Sequence, residues 1–173
     1  MSCYILDANT VLQLSSHFPT AFGQLRKLVQ QGAVKLPQGV YSESTRKSGK
    51  LKQKFPQWAQ RYPQMIVRFD KHSDPRLREE LSQIEQKYGP DFYVGQQLRR
   101  GFWKSRAGRT SADGQVVAAA KVLGCVAVSD DVAVEVACSL EGVPCIGWAE
   151  FARQVGLIGH HMKSLFESAG GDL

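Results

Sequence analysis

No apolar run in the sequence approaches the roughly 20 residues a membrane helix needs. The longest, such as Val116 to Ala120, are a few residues each, so the chain is expected not to span a bilayer. The N-terminus has no basic region and Asp7 breaks its one apolar stretch, so it does not read as a secretory signal and a cytoplasmic location is expected. Cysteine is scarce: Cys3, Cys125, Cys138 and Cys145 form no CxxC pair. This excludes a disulfide-dense secreted scaffold and a zinc ribbon. Each cysteine has apolar neighbours and is expected as a buried, reduced thiol. His17, His72, His160 and His161 lack ligand spacing, so no zinc site is expected. The absence of an internal repeat or low-complexity tract excludes a solenoid.

What is present is ordinary globular composition: 173 residues, 43% hydrophobic and 22% charged, the size of one domain with a packed core. The expected domain covers residues 1–158, with a basic, partly helical middle at 44–110 and a flexible tail at 159–173. Charge is unevenly distributed. Ser44 to Phe69 holds Arg46, Lys47, Lys50, Lys52, Lys54, Arg61 and Arg68 with no acid, and Phe92 to Ala112 holds Arg99, Arg100, Lys104, Arg106 and Arg109, again with none. The formal charge is +6, but outside these twelve bases the chain holds ten bases against sixteen acids, so a basic middle sits between acidic flanks. These bases interleave with Trp58, Tyr62, Phe92, Tyr93, Phe102 and Trp103, a pattern that suits a phosphate backbone with bases stacking on rings. The alternative is a solubilising surface.

The periodicity alternates. Cys3 to Leu6 is a short buried strand ending at Asp7, and Pro19 to Gln31 is a helix closed by Gly32. Val34 to Leu36 is a second strand, and Pro37 opens a helix carrying Val40, Tyr41, Glu43 and Ser44. The basic Lys47 to Lys54 stretch is a loop or an exposed helix, and Met65 to Phe69 a third strand. Asp74-Pro75 starts a helix with Leu77, Leu81 and Ile84 on one face. Ser111 can cap a helix from Ala112 to Leu123 that is apolar on nearly every side and must be buried. A strand at Cys125 to Val128, a helix at Val132 to Leu140, a strand at Val143 to Ile146 and a helix at Ala149 to Val155 follow. This alternation predicts an α/β fold: a three-layer α/β/α sandwich around a mostly parallel central sheet.

In open parallel sheets the crevice lies beyond the carboxyl ends of the strands. That rule selects Asp7 after the first strand and Asp130-Asp131 after the Val126 to Val128 strand, with Asp113 in the first turn of the buried helix and Glu43 after a short strand. Four acids on one rim would repel one another unless a divalent cation sat among them. Each has a structural alternative: Asp113 suits a helix macrodipole, and Asp130-Asp131 can cap the next helix. Asp7, directly after a buried strand and before Asn9 and Thr10, is the acid hardest to assign a purely structural role.

Tyr4-Ile5-Leu6-Asp7-Ala8-Asn9, Val40-Tyr41-Ser42-Glu43, the run from Ala112-Asp113-Gly114 to Ala120, and Val126-Ala127-Val128-Ser129-Asp130-Asp131, in that order, resemble the acidic motifs of PIN-domain ribonucleases. The stretch from Ala112 through Val143-Pro144-Cys145-Ile146-Gly147-Trp148-Ala149-Glu150-Phe151 is similar to a bacterial stand-alone PIN-like group related to the VapC toxins. Ser44 to Thr110 matches weakly. The resemblance implies a Mg²⁺- or Mn²⁺-dependent endoribonuclease with a PIN-like fold, the toxin of a type II toxin–antitoxin pair, with an antitoxin protein and a homodimer among its implied partners. By resemblance Asp7, Glu43 and Asp113 hold the metal, with Asn9 and Ser129 orienting them. Either Asp130 or Asp131 is the fourth acid, Asp131 fitting the spacing after Ser129 slightly better. Independently of the resemblance, the RNA contacts expected from the basic clusters are Arg46, Lys47, Lys50, Lys52, Lys54, Arg99, Arg100, Lys104, Arg106 and Arg109. Metal-held acids also suit phosphodiester hydrolysis on chemical grounds, since hard cations supply the nucleophilic water and neutralise the phosphate.

Two other classes compete. A haloacid-dehalogenase-like phosphatase also opens with an aspartate after its first strand, but its second acid would fall where Asn9 stands. A non-catalytic RNA-binding PIN-like module would use the basic middle alone.

Overall fold

Tyr4–Leu6 (β1), Val34–Pro37 (β2), Ile66–Val67 (β3), Val126–Val128 (β6) and Cys145–Ile146 (β7) are short, largely apolar and rich in β-branched residues, the signature of strands covered on both faces. In the computed structural model, which describes residues 2–18, 22–104 and 112–157, they form one parallel sheet in the order β3-β2-β1-β6-β7. Tyr4 aligns with Val34 on one side and Val126 on the other, so β1 is the central strand. The three-layer α/β/α architecture is therefore present.

The connections explain the layers. From β1 the chain steps to β2 and β3 on one side, then returns to β6 beside β1 and continues to β7. Right-handed crossovers of opposite direction place helices on opposite faces. On one face α1 (Ala8–His17) packs against α3 (Gln38–Lys47) and α8 (Trp148–Gln154); on the other, α6 (Asp113–Leu123) lies between the sheet, α5 (Pro75–Tyr88) and α7 (Val132–Glu141). The α6 residues Val116 to Ala120 are all buried, as an all-round apolar helix requires. A hub closes this layer: Glu141 accepts hydrogen bonds from Lys121 (2.7 Å), Lys87 (2.9 Å) and the Tyr88 hydroxyl (2.6 Å), joining α5, α6 and α7.

Several expectations are refined. Helix α1 is not evident from apolar periodicity; it forms because Asp7 caps it, accepting from the Thr10 amide. The basic stretch is a helix, α4 (Gly49–Arg61), which turns Leu51, Phe55 and Trp58 inward at i, i+4 and i+7 and leaves Lys52 and Lys54 outside. The expected Pro19 to Gln31 helix is observed as α2 (Phe22–Gln30). The third strand is only two residues long, after a 3₁₀ turn at Pro63–Met65. A hairpin of Phe92–Val94 (β4) and Gln97–Arg99 (β5) stands apart from the main sheet; in the sequence its residues are legible only as part of the basic middle.

The cysteines need a correction. Cys3 and Cys125 are joined by a disulfide, with Cα atoms 4.7 Å apart, and only Cys138 and Cys145 are free. Both bonded residues lie at the entrances of neighbouring strands β1 and β6, a closeness invisible across 122 residues of sequence. Among the described residues no helix is long and apolar enough to cross a membrane. Ser111 and the expected tail at 159–173 lie outside the described residues.

Candidate functional site

The sheet order reverses direction between β1 and β6, and such a switch point leaves a crevice at the carboxyl ends of the two strands. Asp7 follows β1 there, and Ser129, Asp130 and Asp131 follow β6. Asp7 is buried, at 5% exposure. Its Oδ1 accepts from the Thr10 amide at 2.6 Å and its Oδ2 from the Ser129 hydroxyl at 2.5 Å. The Ser129 oxygen in turn accepts from the Asp131 amide at 3.1 Å, and the Thr10 hydroxyl donates to the Val128 carbonyl at 3.2 Å. These bonds lock the ends of β1 and β6 together. Burial raises the Asp7 carboxyl above the ordinary carboxylate range; the bonds from Ser129 and Thr10 oppose this without cancelling it, and the charge of Asp130 adds to it. A buried acid beside a second acid, at a switch point, is the arrangement expected of a functional carboxylate.

The two adjacent aspartates have different duties. Asp131 is the N-cap of α7, accepting from the amides of Ala133 (2.9 Å) and Val134 (3.2 Å). Asp130 turns toward the start of α8, accepting from the Trp148 amide at 3.0 Å, and is the acid whose charge reaches Asp7. Gly147 makes this possible, because a β-carbon there would lie 2.4 Å from the Asp130 Oδ1. Although spacing slightly favours Asp131 as the fourth acid, in the fold Asp130 is the neighbour of Asp7.

A cleft of about 770 Å³ opens at this rim, its lining including Asp113, Asp130, Asp131, Leu98, Arg99 and Arg100. Asp113 reaches it from the first turn of α6. The start of α6 is held to the start of α3 by Gln115, whose Oε1 accepts from the Gly39 amide at 2.8 Å. Glu43 is not part of the cleft lining; it is ion-paired with Lys47 one turn along α3. Asn9 is exposed in the first turn of α1, whereas Ser129 is buried. Of the basic candidates among the described residues, only Arg99 and Arg100 line the cleft. Lys50 and Lys54 sit over the Phe22 ring, 4.4 Å and 5.8 Å from its centre. Arg46 and Lys52 are exposed on α3 and α4. Arg106, Arg109 and the side chain of Lys104 lie outside the described residues.

Among the described residues no three His, Cys, Asp or Glu side chains are gathered closely enough to hold a cation together. The donors on the rim are carboxylate oxygens, which suit Mg²⁺ or Mn²⁺, and Mg²⁺ keeps several of its waters and typically takes only one or two protein carboxylates. Asp7 and Asp130 are the rim acids whose charges interact; among the described residues a cage built from three or more of the candidate acids does not form.

Sequence reasoning gives no role to Thr10, whose amide and hydroxyl fix the first acid, or to Gly147, whose missing side chain seats the other. The signal for the first is the Asp-x-x-Thr spacing at a helix start, which is that of an N-cap.

A family described as a domain of unknown function, DUF4411, matches residues 4–157. No curated protein matches the chain. Among solved structures, the chain is similar to VapBC2 from Rickettsia felis bound to a DNA fragment from their promoter, at 15% identity and a TM-score of 0.46, covering 84% of this chain and 98% of that one.

Proposed function

The chain belongs to the DUF4411 family, and we propose that this member is a metal-dependent endoribonuclease that cleaves RNA phosphodiester bonds. One observation carries the reading: a buried aspartate with a raised pKa, Asp7, stands within the field of Asp130 at the switch point of a parallel sheet, beside a cleft lined by two more aspartates and two arginines. The ordered acidic motifs of the sequence support the same reading.

Asp7 and Asp130 are the residues that would hold Mg²⁺ or Mn²⁺. A bound ion of this kind supplies an activated water and neutralises charge at the phosphate. The chain's own part is positional. Ser129 and Thr10 fix the Asp7 carboxylate, so its oxygens need no reorganisation when a ligand arrives. The Trp148 amide does the same for Asp130. Arg99 and Arg100 bring positive charge to an otherwise acidic cleft and so make it receptive to a polyanion. A toxin role with an antitoxin partner follows from the resemblance to VapC-related proteins, and arrest of growth on expression, relieved by a neighbouring gene product, would test it.

The test of the catalytic reading is cleavage of labelled RNA with Mn²⁺, with EDTA, and in Asp7→Asn and Asp130→Asn. Loss of cleavage in EDTA and in both variants, with unchanged circular dichroism, is the expected result; full activity in both variants overturns the assignment. A second reading, RNA binding without cleavage, is favoured by the Glu43–Lys47 ion pair, which engages one of the four motif acids with a lysine of its own helix. Tight RNA binding with no metal-dependent cleavage would decide for it.

A further inference from the structure

The hairpin that forms one wall of the cleft is built to be rigid, yet it shows apolar side chains to solvent. Phe92 packs edge-on against Tyr88 of α5, ring centres 5.0 Å apart. The Gly101 amide donates to Asp91 Oδ1 at 3.0 Å, and the Trp103 amide to the Gly89 carbonyl at 2.9 Å. Gly101 lies so close to this backbone that a β-carbon would meet the Pro90 carbonyl oxygen at 2.1 Å. On this fixed mount Tyr93 and Leu98 pair directly across the two strands. They are 70% and 57% exposed, the most exposed large apolar residues described apart from Val132, at 63%, which also lines the cleft. Cross-strand partners share one face of a hairpin, so the exposed Tyr93 lies beside Leu98, which belongs to the cleft lining.

The next residue supplies an independent observation. Arg99 donates through Nη2 to Gln97 Oε1 at 2.8 Å, but its Nε is buried with no acceptor among the described residues. A buried guanidinium N–H without a partner is costly, and an anionic oxygen in the cleft would satisfy it. We infer that the β4–β5 hairpin is a nucleotide-positioning wall: Arg99 takes a phosphate oxygen inside the cleft, while Tyr93 with Leu98 offers a flat apolar face to one unpaired base. This rests on the ribonuclease reading and adds its recognition element. An aromatic ring can stack on a base only when that base is out of a duplex. The wall therefore selects single-stranded or bulged RNA at the position next to the acids, with little preference for base identity.

The experiment measures binding, not cleavage. Full-length protein in EDTA is titrated into a fluorescent twelve-nucleotide RNA, free or annealed to its complement, at several salt concentrations. Tyr93→Ala should weaken binding to the single strand about tenfold, within the range of aromatic truncation per stacked base, and leave duplex affinity and salt slope unchanged. Tyr93→Phe should bind like wild type. Arg99→Gln should lower the single-strand salt slope by ~0.7. Equal affinity of Tyr93→Ala and wild type, equal losses on both RNAs, or no RNA binding by wild type would each overturn the inference. So would a dimer that falls apart in Tyr93→Ala at unchanged RNA affinity, since that assigns the face to a protein contact. Binding through Tyr93 without cleavage in Mn²⁺ would defeat the catalytic reading alone. Cleavage indifferent to Tyr93→Ala, with unchanged binding, would defeat the hairpin alone.

Discussion

Replacing Asp7 by asparagine and by alanine separates its two roles, because the bonds around it respond differently to each. In wild type burial, with the charge of Asp130 adding to it, disfavours the ionised carboxylate, a cost expressed as its raised pKa. The sign follows from linkage: a carboxyl whose folded pKa is raised destabilises the fold above that pKa, and the penalty lifts as pH falls through it. Asparagine removes the charge and keeps an oxygen for the Thr10 amide. Its amide nitrogen then faces the Ser129 oxygen, which must accept rather than donate. The net gain at pH 7 without metal should be about 1 kcal/mol, the scale on which relieving a functional strain restores stability. For a chain of this length that corresponds to a melting temperature ~2 to 4 °C higher. Alanine removes the charge and the cap together, losing ~1 kcal/mol at the start of α1. It also leaves the buried Ser129 hydroxyl without its acceptor, worth a further ~1 to 3 kcal/mol. Alanine should therefore melt below wild type and asparagine above it. The assay is thermal unfolding in EDTA at pH 7 and again at pH 4.5, where the asparagine advantage should shrink. With Mn²⁺ at about 100 times its dissociation constant, wild type should gain ~2.7 kcal/mol and overtake the asparagine variant, which has lost a ligand. If Asp7→Asn melts below wild type in EDTA and responds equally to Mn²⁺, Asp7 is only a helix cap and the shared acidic site is wrong.

Gly147→Ala should push the Asp130 carboxylate off the start of α8, since its β-carbon would lie 2.4 Å from Oδ1; RNA cleavage should fall at least tenfold while the far-ultraviolet spectrum stays unchanged, and wild-type activity would show that Asp130 is dispensable. Burial alone would raise the Glu141 carboxyl, but the bonds from Lys121, Tyr88 and Lys87 outweigh it and hold its pKa down at about 2. Its contribution is thus complete above the ordinary value near 4.5 and lost as pH falls toward 2. Glu141→Gln should cost ~1.5 to 3 kcal/mol in urea unfolding at pH 7, with the gap to wild type closing between those two pH values; a pH-independent gap would assign the loss to packing. Neutralising Lys52 and Lys54, exposed on α4, should reduce the single-strand salt slope by ~0.7 per phosphate that each side chain neutralises, if that face binds RNA. An unchanged slope in filter binding would make it a solvated face.

The sequence by itself determined the class of fold. Apolar runs too short for helices, alternating with amphipathic stretches, admit little but a parallel sheet between helices, because such strands must be covered on both sides. It also determined the burial of α6, since a helix apolar all round has no other place to be. Asp74-Pro75 marked the start of α5 for the local reason that cap chemistry acts over a few residues. Where the order of strands mattered, sequence was silent: nothing in the chain says that β6 lies beside β1, and on that adjacency depend the Ser129–Asp7 bond, the approach of Asp130 to Asp7 and the Cys3–Cys125 disulfide. Spacing favoured Asp131 over Asp130 only slightly, because adjacent residues differ only in where the backbone turns them. The fold gives Asp131 to the cap of α7 and brings Asp130 to Asp7. The basic middle was legible as charge but not as geometry: α4 takes Lys50 and Lys54 over the Phe22 ring, while Arg99 and Arg100 reach the cleft. Composition counts charges along a chain, and only the long-range packing of helices and hairpin decides which of them face the same space.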